Sequence, residues 1–485
     1  MEAYKRRAMK KGKVLLIVHD LYQDDVYFPL SIGYIASALR EYGAKITVCD
    51  QAVHHYTNEE LVEKFLKNEE YDLIGIGFLA ARFKETVLDL CATVNLYKKN
   101  AKLVLGGHGP SAVPLYMLET TQADLVVIGE GEETIVEVLD TTLQEGSFEN
   151  VLGIAYREGT TFRTNNRRPV VKKLDEILWP AWDLFPMDYY TTATLGPGQK
   201  QEAKSMQIIS SRGCVNKCTF CHRLEKGIRF RPMWEVVQEM KTLYDNYDIT
   251  FFHFLDELFV SSYKRLKNFV EELKKEDLLG KINYNAGGIR ANILTEPMAE
   301  LLHDSGCCHA VVGVESMSQK CLDDYKKNTT IEDNIRCIGI LRKYDIHVGI
   351  GILWGAPSDT EETLKQDVAF LKEYNTYGEL RTMRPVTPYP GSEMYEQALA
   401  KGLLTGPRDF FDRFTNSDLV TVNFTSIPTE RIYEILFEAN KELILDHYQH
   451  TTNNMEEAQQ MITNFHNLYF KGDITFRGAR RYEKK

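Results

Sequence analysis

No window of this 485-residue chain approaches the roughly 18 consecutive apolar residues of a membrane-spanning helix. The basic opening stretch, MEAYKRRAMKKGK, runs into the strand-like VLLIV rather than an apolar signal core with a cleavage site, so a cytoplasmic protein is expected. Positive charge is also in short supply: 58 Lys and Arg face 69 Asp and Glu, a net charge of -11, which disfavours a nucleic-acid partner. Repeats of solenoid period and low-complexity tracts are absent. Cysteine is scarce, nine in all, and six of them (Cys49, Cys91, Cys307, Cys308, Cys321 and Cys337) are scattered through strand-like or helix-like segments. Those six read as small buried apolar residues in a reducing compartment. The other three, Cys214, Cys218 and Cys221, share one short stretch, SRGCVNKCTFCHRLEKG.

The length and the 44% hydrophobic content suit two or three domains. Up to about residue 140, short apolar runs (KVLLIVH, KITVCD, DLIGIGF, KLVLGG and DLVVIGEG) alternate with helical patterns such as Ile32, Ile35, Ala36 and Leu39, stopped at Gly43. This predicts an α/β, doubly wound parallel sheet with ligands at the carboxyl ends of its strands. Residues 146–200 read as a packed linker made of a strand or two, a charged stretch and WPAWDLFPMDYY. A second series follows: SMQIISS, DITFFHFLDE, KINYNAGG, CHAVVGVES, IHVGIGILWG and ELRTMRPVTP. Six strands with helices between them predict a partial (β/α)6 barrel over 201–400, its chemistry at the strand-to-loop ends. Residues 401–485 read as mostly helical, Ile432, Ile435, Leu436, Ala439 and Leu443 forming one core face.

Three thiols without a fourth pose a chemical question. A closed zinc site wants four ligands, commonly as two separated pairs. No second pair follows here at zinc-ribbon spacing, although His222 adjoins the cysteines and could complete such a site. A 4Fe-4S cube held by three thiolates instead leaves one iron open to a ligand that is itself a reactant.

C-x-x-x-C-x-x-C with Phe220 before the last cysteine, on the loop after the first barrel strand, resembles the radical S-adenosylmethionine (SAM) superfamily. The resemblance implies that Cys214, Cys218 and Cys221 hold a 4Fe-4S cluster whose open iron chelates the amino and carboxylate groups of SAM. The reduced cluster then cleaves SAM to methionine and a 5'-deoxyadenosyl radical. It further implies that Asp256 or Glu257 of FLDELF, which departs from the familiar G-G-E form, meets the SAM amino group. Arg290 of GGIRAN follows strand three, and Glu315 and Ser316 of VGVES stand where related enzymes contact ribose or carboxylate. Gly355 and Pro357 of GILWGAPSDTEET are expected to shape the turn beside the adenine, and TPYPGSEMY is similar to the strand-six end. Singly, each charged residue reads as a surface ion pair or a cap; their joint placement at strand ends favours a site.

The first domain, residues 1–145, resembles the Rossmann-like cobalamin-binding domain that precedes the barrel in one large radical SAM class, through FPLSIGYIASALREYGAKITVCD, LVLGGHGPSAVP and VVIGEGEETIVEVL. Gly75, Gly77, Gly106, Gly107 and Gly109 would let backbone approach a large flat ligand, and Glu130 is carried with them as a candidate contact. The alternative is an unliganded or nucleotide-binding sheet. The D-x-H-x-x-G motif that gives cobalt a histidine in other cobalamin enzymes is absent, as is common in the class. The implied activity is a cobalamin-dependent radical SAM methyltransferase acting on an unreactive carbon or phosphorus. It would use a small-molecule or lipid substrate, a reductase, flavodoxin or ferredoxin as electron donor, and an anaerobic niche. The alternatives are a non-methylating radical enzyme, an oxidative cyclase or a carbon-carbon coupling enzyme, and a non-enzymatic corrinoid or zinc module. A tRNA methylthiotransferase fits less well, because the first domain lacks a second three-cysteine cluster and has only Cys49 and Cys91.

Overall fold

The structure is a computed structural model that describes residues 12–20, 27–193, 199–200 and 202–476. It divides into two compact units, Met1–Ala193 and Thr194–Lys485.

The first unit is built on a seven-stranded sheet: β1 (Lys13–Val18), β2 (Lys45–Asp50), β3 (Leu73–Gly77), β4 (Lys102–Gly106), β5 (Leu125–Val127), β6 (Ile154–Glu158) and β7 (Thr161–Thr164), in the order β2-β1-β3-β4-β5-β6-β7. The first five are parallel and the last two antiparallel. Continuous apolar runs such as VLLIV and LVV are buried, as a sheet covered on both faces requires. The helix Leu30–Tyr42 buries Ile32, Ala36 and Leu39 and ends at Gly43, whose φ of 107° only glycine adopts readily and whose N–H closes on the Arg40 carbonyl. Strand order reverses between β1 and β3, which opens a crevice at their carboxyl ends.

The stretch 146–200 holds the last two strands of this sheet. It opens with the β6–β7 hairpin on the edge of this sheet, a half-exposed pair whose alternation is weak in sequence. Its aromatic segment also packs into the same unit: Trp182 and Phe185 lie 4.5 and 4.8 Å from Phe28, and Tyr190 donates to Asp50 at 2.7 Å.

In the second unit, β8 (Lys204–Ile208), β11 (Ile249–Phe254), β12 (Asn283–Ile289), β13 (Cys307–Glu315) and β14 (His347–Ile352) form a parallel sheet in sequential order. The hairpin β9 (Ser211–Cys214) and β10 (Gly227–Phe230) stands after β8. The helix Tyr263–Lys275 covers the outer face, where Phe254 and Tyr284 pack edge-on to Phe269 at 5.8 and 5.6 Å. Losing one such buried ring costs about 3–5 kcal/mol.

The expected sixth strand, ELRTMRPVTP, forms only a single parallel bridge, Trp354 to Pro385, closed by Trp354 N–H to Arg384 at 3.0 Å and Val386 N–H to Trp354 at 2.7 Å. Pro385 and Pro388 have no N–H to extend the ladder. Two long helices follow, Thr429–His450 and Met455–Lys471, which bury Ile432, Leu436 and Leu443 and Ile462, Phe465 and Leu468. Among the described residues no helix is long and apolar enough to cross a membrane.

Candidate active site

The cysteine loop is held from both sides. Thr219, at its centre, gives its N–H to the Tyr325 carbonyl at 3.0 Å and receives the Met394 N–H on its own carbonyl at 2.8 Å. Phe220 stacks edge-on to Tyr325 at 5.2 Å, so the family aromatic braces the loop rather than standing free. Cys214 is half-buried, Cys218 buried and Cys221 exposed. The Cys221 thiol is pushed up to about 11, by loss of surrounding water first and then by the negative charges of Cys218, Glu257, Cys214 and Glu315. Burial also raises Cys218, against the nearby positive charges of Lys327 and Arg290. Cys218 and Cys221, both raised beside the carboxylates of Glu315 and, for Cys221, Glu257, would gain from a cationic partner, so the donor set fits a cationic metal group. Among the described residues, no three or more His, Cys, Asp or Glu side chains close on the position of a single ion.

The structure separates the two acids after β11. Asp256 is buried and fully engaged, accepting from the Ser210 N–H at 3.0 Å, the Ser210 hydroxyl at 2.7 Å and the Ser211 hydroxyl at 2.5 Å. It therefore braces β9 beneath the cysteines and has no oxygen to offer outward. Burial raises its pKa, with those serines and Arg265 opposing. Glu257 is exposed, and its charge acts on Cys221. The β12 glycines make this arrangement possible: Gly288 has φ 62°, and a Cβ there would collide with the Glu257 carbonyl. The next residue but one, Arg290, has a buried Nε without a hydrogen-bond partner.

At the end of β13, Glu315 has φ 66°, rare for a residue with a side chain. The Ser316 N–H donates to the Val314 carbonyl at 2.9 Å, closing a strained three-residue turn about Glu315. The Glu315 carboxylate pairs with Lys327 at 2.6 Å, and both side chains are nearly buried. Ser316 does not face the mouth: it is fully buried, 3.4 Å from Asp367, and accepts the Ser318 N–H at 3.1 Å. Asp367 also accepts the Met317 N–H at 2.6 Å, and burial pushes it up to about 8. The Gly355 turn (φ 111°) is closed by Asp359, which accepts the Gly355 and Ala356 N–H groups at 2.7 Å each, while Pro357 is exposed on it.

Lys327, Asp359 and Asp367 were not singled out from sequence. Lys327 carries no motif, whereas Asp367 left a signal, an acid on the buried face of a helix with Leu364, Val368 and Leu371.

In the first unit the glycines divide. Gly75 and Gly77 make room for the chain's own Leu16 and Ile32, 2.9 and 3.1 Å from where a Cβ would stand. Gly107 (φ 95°) and Gly109 let the turn after β4 settle onto the backbone of residues 78–80. Gly106 alone of the five has nothing within 4 Å of where a Cβ would stand. Glu130 accepts the Val171 N–H at 3.1 Å, a contact that ties the β5 end to the following segment.

Residues 208–371 match the family model of the radical SAM superfamily, and residues 23–139 match that of the B12 binding domain. An uncharacterized methyltransferase, PH0819, of Pyrococcus horikoshii is 28% identical over 435 residues, 87% of this chain and 90% of that protein. The anaerobic magnesium-protoporphyrin IX monomethyl ester cyclase of Rubrivivax gelatinosus is 28% identical over 383 residues, 76% of this chain and 66% of the cyclase. Among solved structures, the radical SAM methyltransferase TsrM from Kitasatospora setae, with cobalamin and a 4Fe-4S cluster bound, shares the fold at a TM-score of 0.64 and 18% identity, over 82% of this chain and 76% of its own.

Proposed function

We propose, from the premise that this chain belongs to the radical SAM superfamily and carries an amino-terminal B12 binding domain, that it is a cobalamin-dependent methyltransferase. The observation that carries the reading is the mouth of the second unit: three mutually repelling thiols on one braced loop, with Glu257, Arg290 and the Glu315–Lys327 pair acting on them. When bound, the 4Fe-4S cluster supplies the electron that divides SAM, and cobalamin supplies the methyl group.

The chain's own residues do the rest. Cys214, Cys218 and Cys221 hold the cluster, and Thr219 fixes their loop. Glu257, exposed beside Cys221, takes the SAM amino group, while Asp256 only braces the loop. The unpartnered Nε of Arg290 is set to donate to a carboxylate. Glu315 presents its carboxylate toward the ribose from a turn that Asp367 holds, with Lys327 paired to it. The turn Gly355–Asp359 edges the adenine side. In the first unit the open backbone at Gly106 is where the corrin would approach. Methyl transfer is favoured over ring closure because the relative matched along 90% of its length is named a methyltransferase. The acceptor is a small molecule or lipid, and the electron donor is a flavodoxin, ferredoxin or dedicated reductase.

The test is anaerobic expression with cobalamin supplied, removal of unbound corrinoid, and measurement of bound cobalamin per chain alongside iron and sulfide. Near-stoichiometric cobalamin with about four iron and four sulfide per chain is expected. An empty first unit beside an intact cluster would move the assignment to a non-methylating radical enzyme, and one zinc with no sulfide would overturn it entirely.

A further inference from the structure

The inner face of the barrel carries a polar row that the cluster chemistry does not use. Pairing is in register across the sheet: Gln207 with His253, His253 with Asn285, Asn285 with His309 and His309 with His347. One polar side chain therefore comes from each of the five strands, at one level. Phe254 and Tyr284 pack on the helix Tyr263–Lys275, so alternation turns His253 and Asn285 to the opposite, inner face.

Buried polar groups are almost always hydrogen-bonded, and this row departs from that rule. His253 and His309 are 6% and 4% exposed, yet His253 Nε2 and both ring nitrogens of His309 have no hydrogen-bond partner. Of these rings only His253 is bonded, at Nδ1, to the Asn285 amide at 3.3 Å. His309 Nε2 stands 3.5 Å from Glu379, whose carboxylate is already paired with Arg381. Burial holds both rings neutral, pushing His253 down to about 4 and His309 to about 3, with His309 lowering the first and Arg381 the second.

Above the row the inward positions are mostly glycine. The next inward positions along β12, β13 and β14 are Gly287, Val311 and Gly349, and Gly313 and Gly351 follow on β13 and β14. Val311, two residues above His309, is 39% exposed. Gly349 admits the His309 ring and the Arg381 guanidinium, each within 3.0 Å of where its Cβ would be.

We infer that His253, Asn285 and His309 form a recognition floor for the acceptor substrate, reached past Val311, and that it takes a neutral group with both a donor and an acceptor, an amide or alcohol. The inference rests on the radical-enzyme reading for the word acceptor, but the site itself does not. A neutral imidazole offers one donor and one acceptor nitrogen, so two rings and an amide match such a group. A carboxylate would meet no free cation there, because Arg381 is held by Glu379, and an ammonium would meet no free anion for the same reason.

The test uses the oxidised holoenzyme labelled with 13C at histidine Cε1, titrated with propionamide, propionate and propylammonium as probes. His253→Gln and His309→Gln assign the two resonances. Saturable shifts of both rings with propionamide, and a response at least tenfold weaker with either ion, are expected. Val311→Trp, which blocks the approach without touching the floor, should abolish the shifts while leaving both resonances in place. Unshifted rings with all three probes, equal response to the ions, or an unchanged response in Val311→Trp would overturn it. Cobalamin and iron content of the same samples report separately on the methyltransferase reading, so the two can fail independently.

Discussion

Lys327→Met removes the partner that lies 2.6 Å from the Glu315 carboxylate, where the two side chains are only 12% and 10% exposed. The stranded acid then has two courses. Remaining ionised costs about 3–5 kcal/mol, the usual penalty for an unpaired buried charge. Taking up a proton at pH 7 costs about 1.4 kcal/mol for each of roughly 2.7 pH units above its ordinary value near 4.3, or about 3.7 kcal/mol. The cheaper course sets the ceiling, so a loss of about 3–4 kcal/mol is expected at pH 7.

The sign with pH follows from the variant's folded pKa being raised. The folded state then binds the proton more tightly than the unfolded chain, so the deficit shrinks as pH falls toward 4.3, to about 1 kcal/mol at pH 5. Adding Glu315→Gln removes the charge, recovers most of the loss and flattens the pH dependence. Urea midpoints of the four proteins at pH 7 and pH 5 close the cycle. Additive single losses, or a deficit of equal size at both pH values, would refute the buried-pair argument.

Five further outcomes are expected. Gly288→Ala forces a side chain into a left-handed backbone and against the Glu257 carbonyl, and should cost about 2–4 kcal/mol by thermal unfolding. Gly339→Ala, in the middle of the helix Ile331–Lys343 with nothing near its Cβ, should instead stabilise by about 0.5–1 kcal/mol. Glu257→Gln should weaken SAM binding at least tenfold by calorimetry with the fold intact, whereas Asp256→Ala should lower iron content by releasing the serines beneath the loop. Because burial lowers His253 and His309, stability should fall as pH drops below about 6.5, by up to about 1.4 kcal/mol per pH unit for each ring. The double variant with Gln at both positions should lack that slope.

Most of the strands were legible because continuous apolar runs and helical spacing report burial directly, and the cysteine spacing pointed to the family. What sequence obscured depends on partners far along the chain. Neighbouring acids look alike in FLDELF, but only the fold sets Asp256 against Ser210 and Ser211 and leaves Glu257 outside. Ser316 reads as a mouth residue by position, yet the turn at Glu315 directs it inward to Asp367. Gly75 and Gly77 carry the glycine signal of a ligand floor, while the close approach they permit is to Leu16 and Ile32. The polar barrel row left five unremarkable letters in five strands, because register joins them and register is a tertiary fact.

Thr219 has both of its peptide groups' hydrogen-bonding directions satisfied by later parts of the chain, and its side chain donates to Asp324 at 3.2 Å. The segment between Cys218 and Cys221 is thus tethered by ordinary protein bonds that owe nothing to iron. Where small metallodomains collapse without their ion, this loop is expected to keep its shape when bare. Assembly of the cluster is then a loading step on a finished scaffold, and oxidative loss of iron should leave a refillable protein instead of an unfolded one.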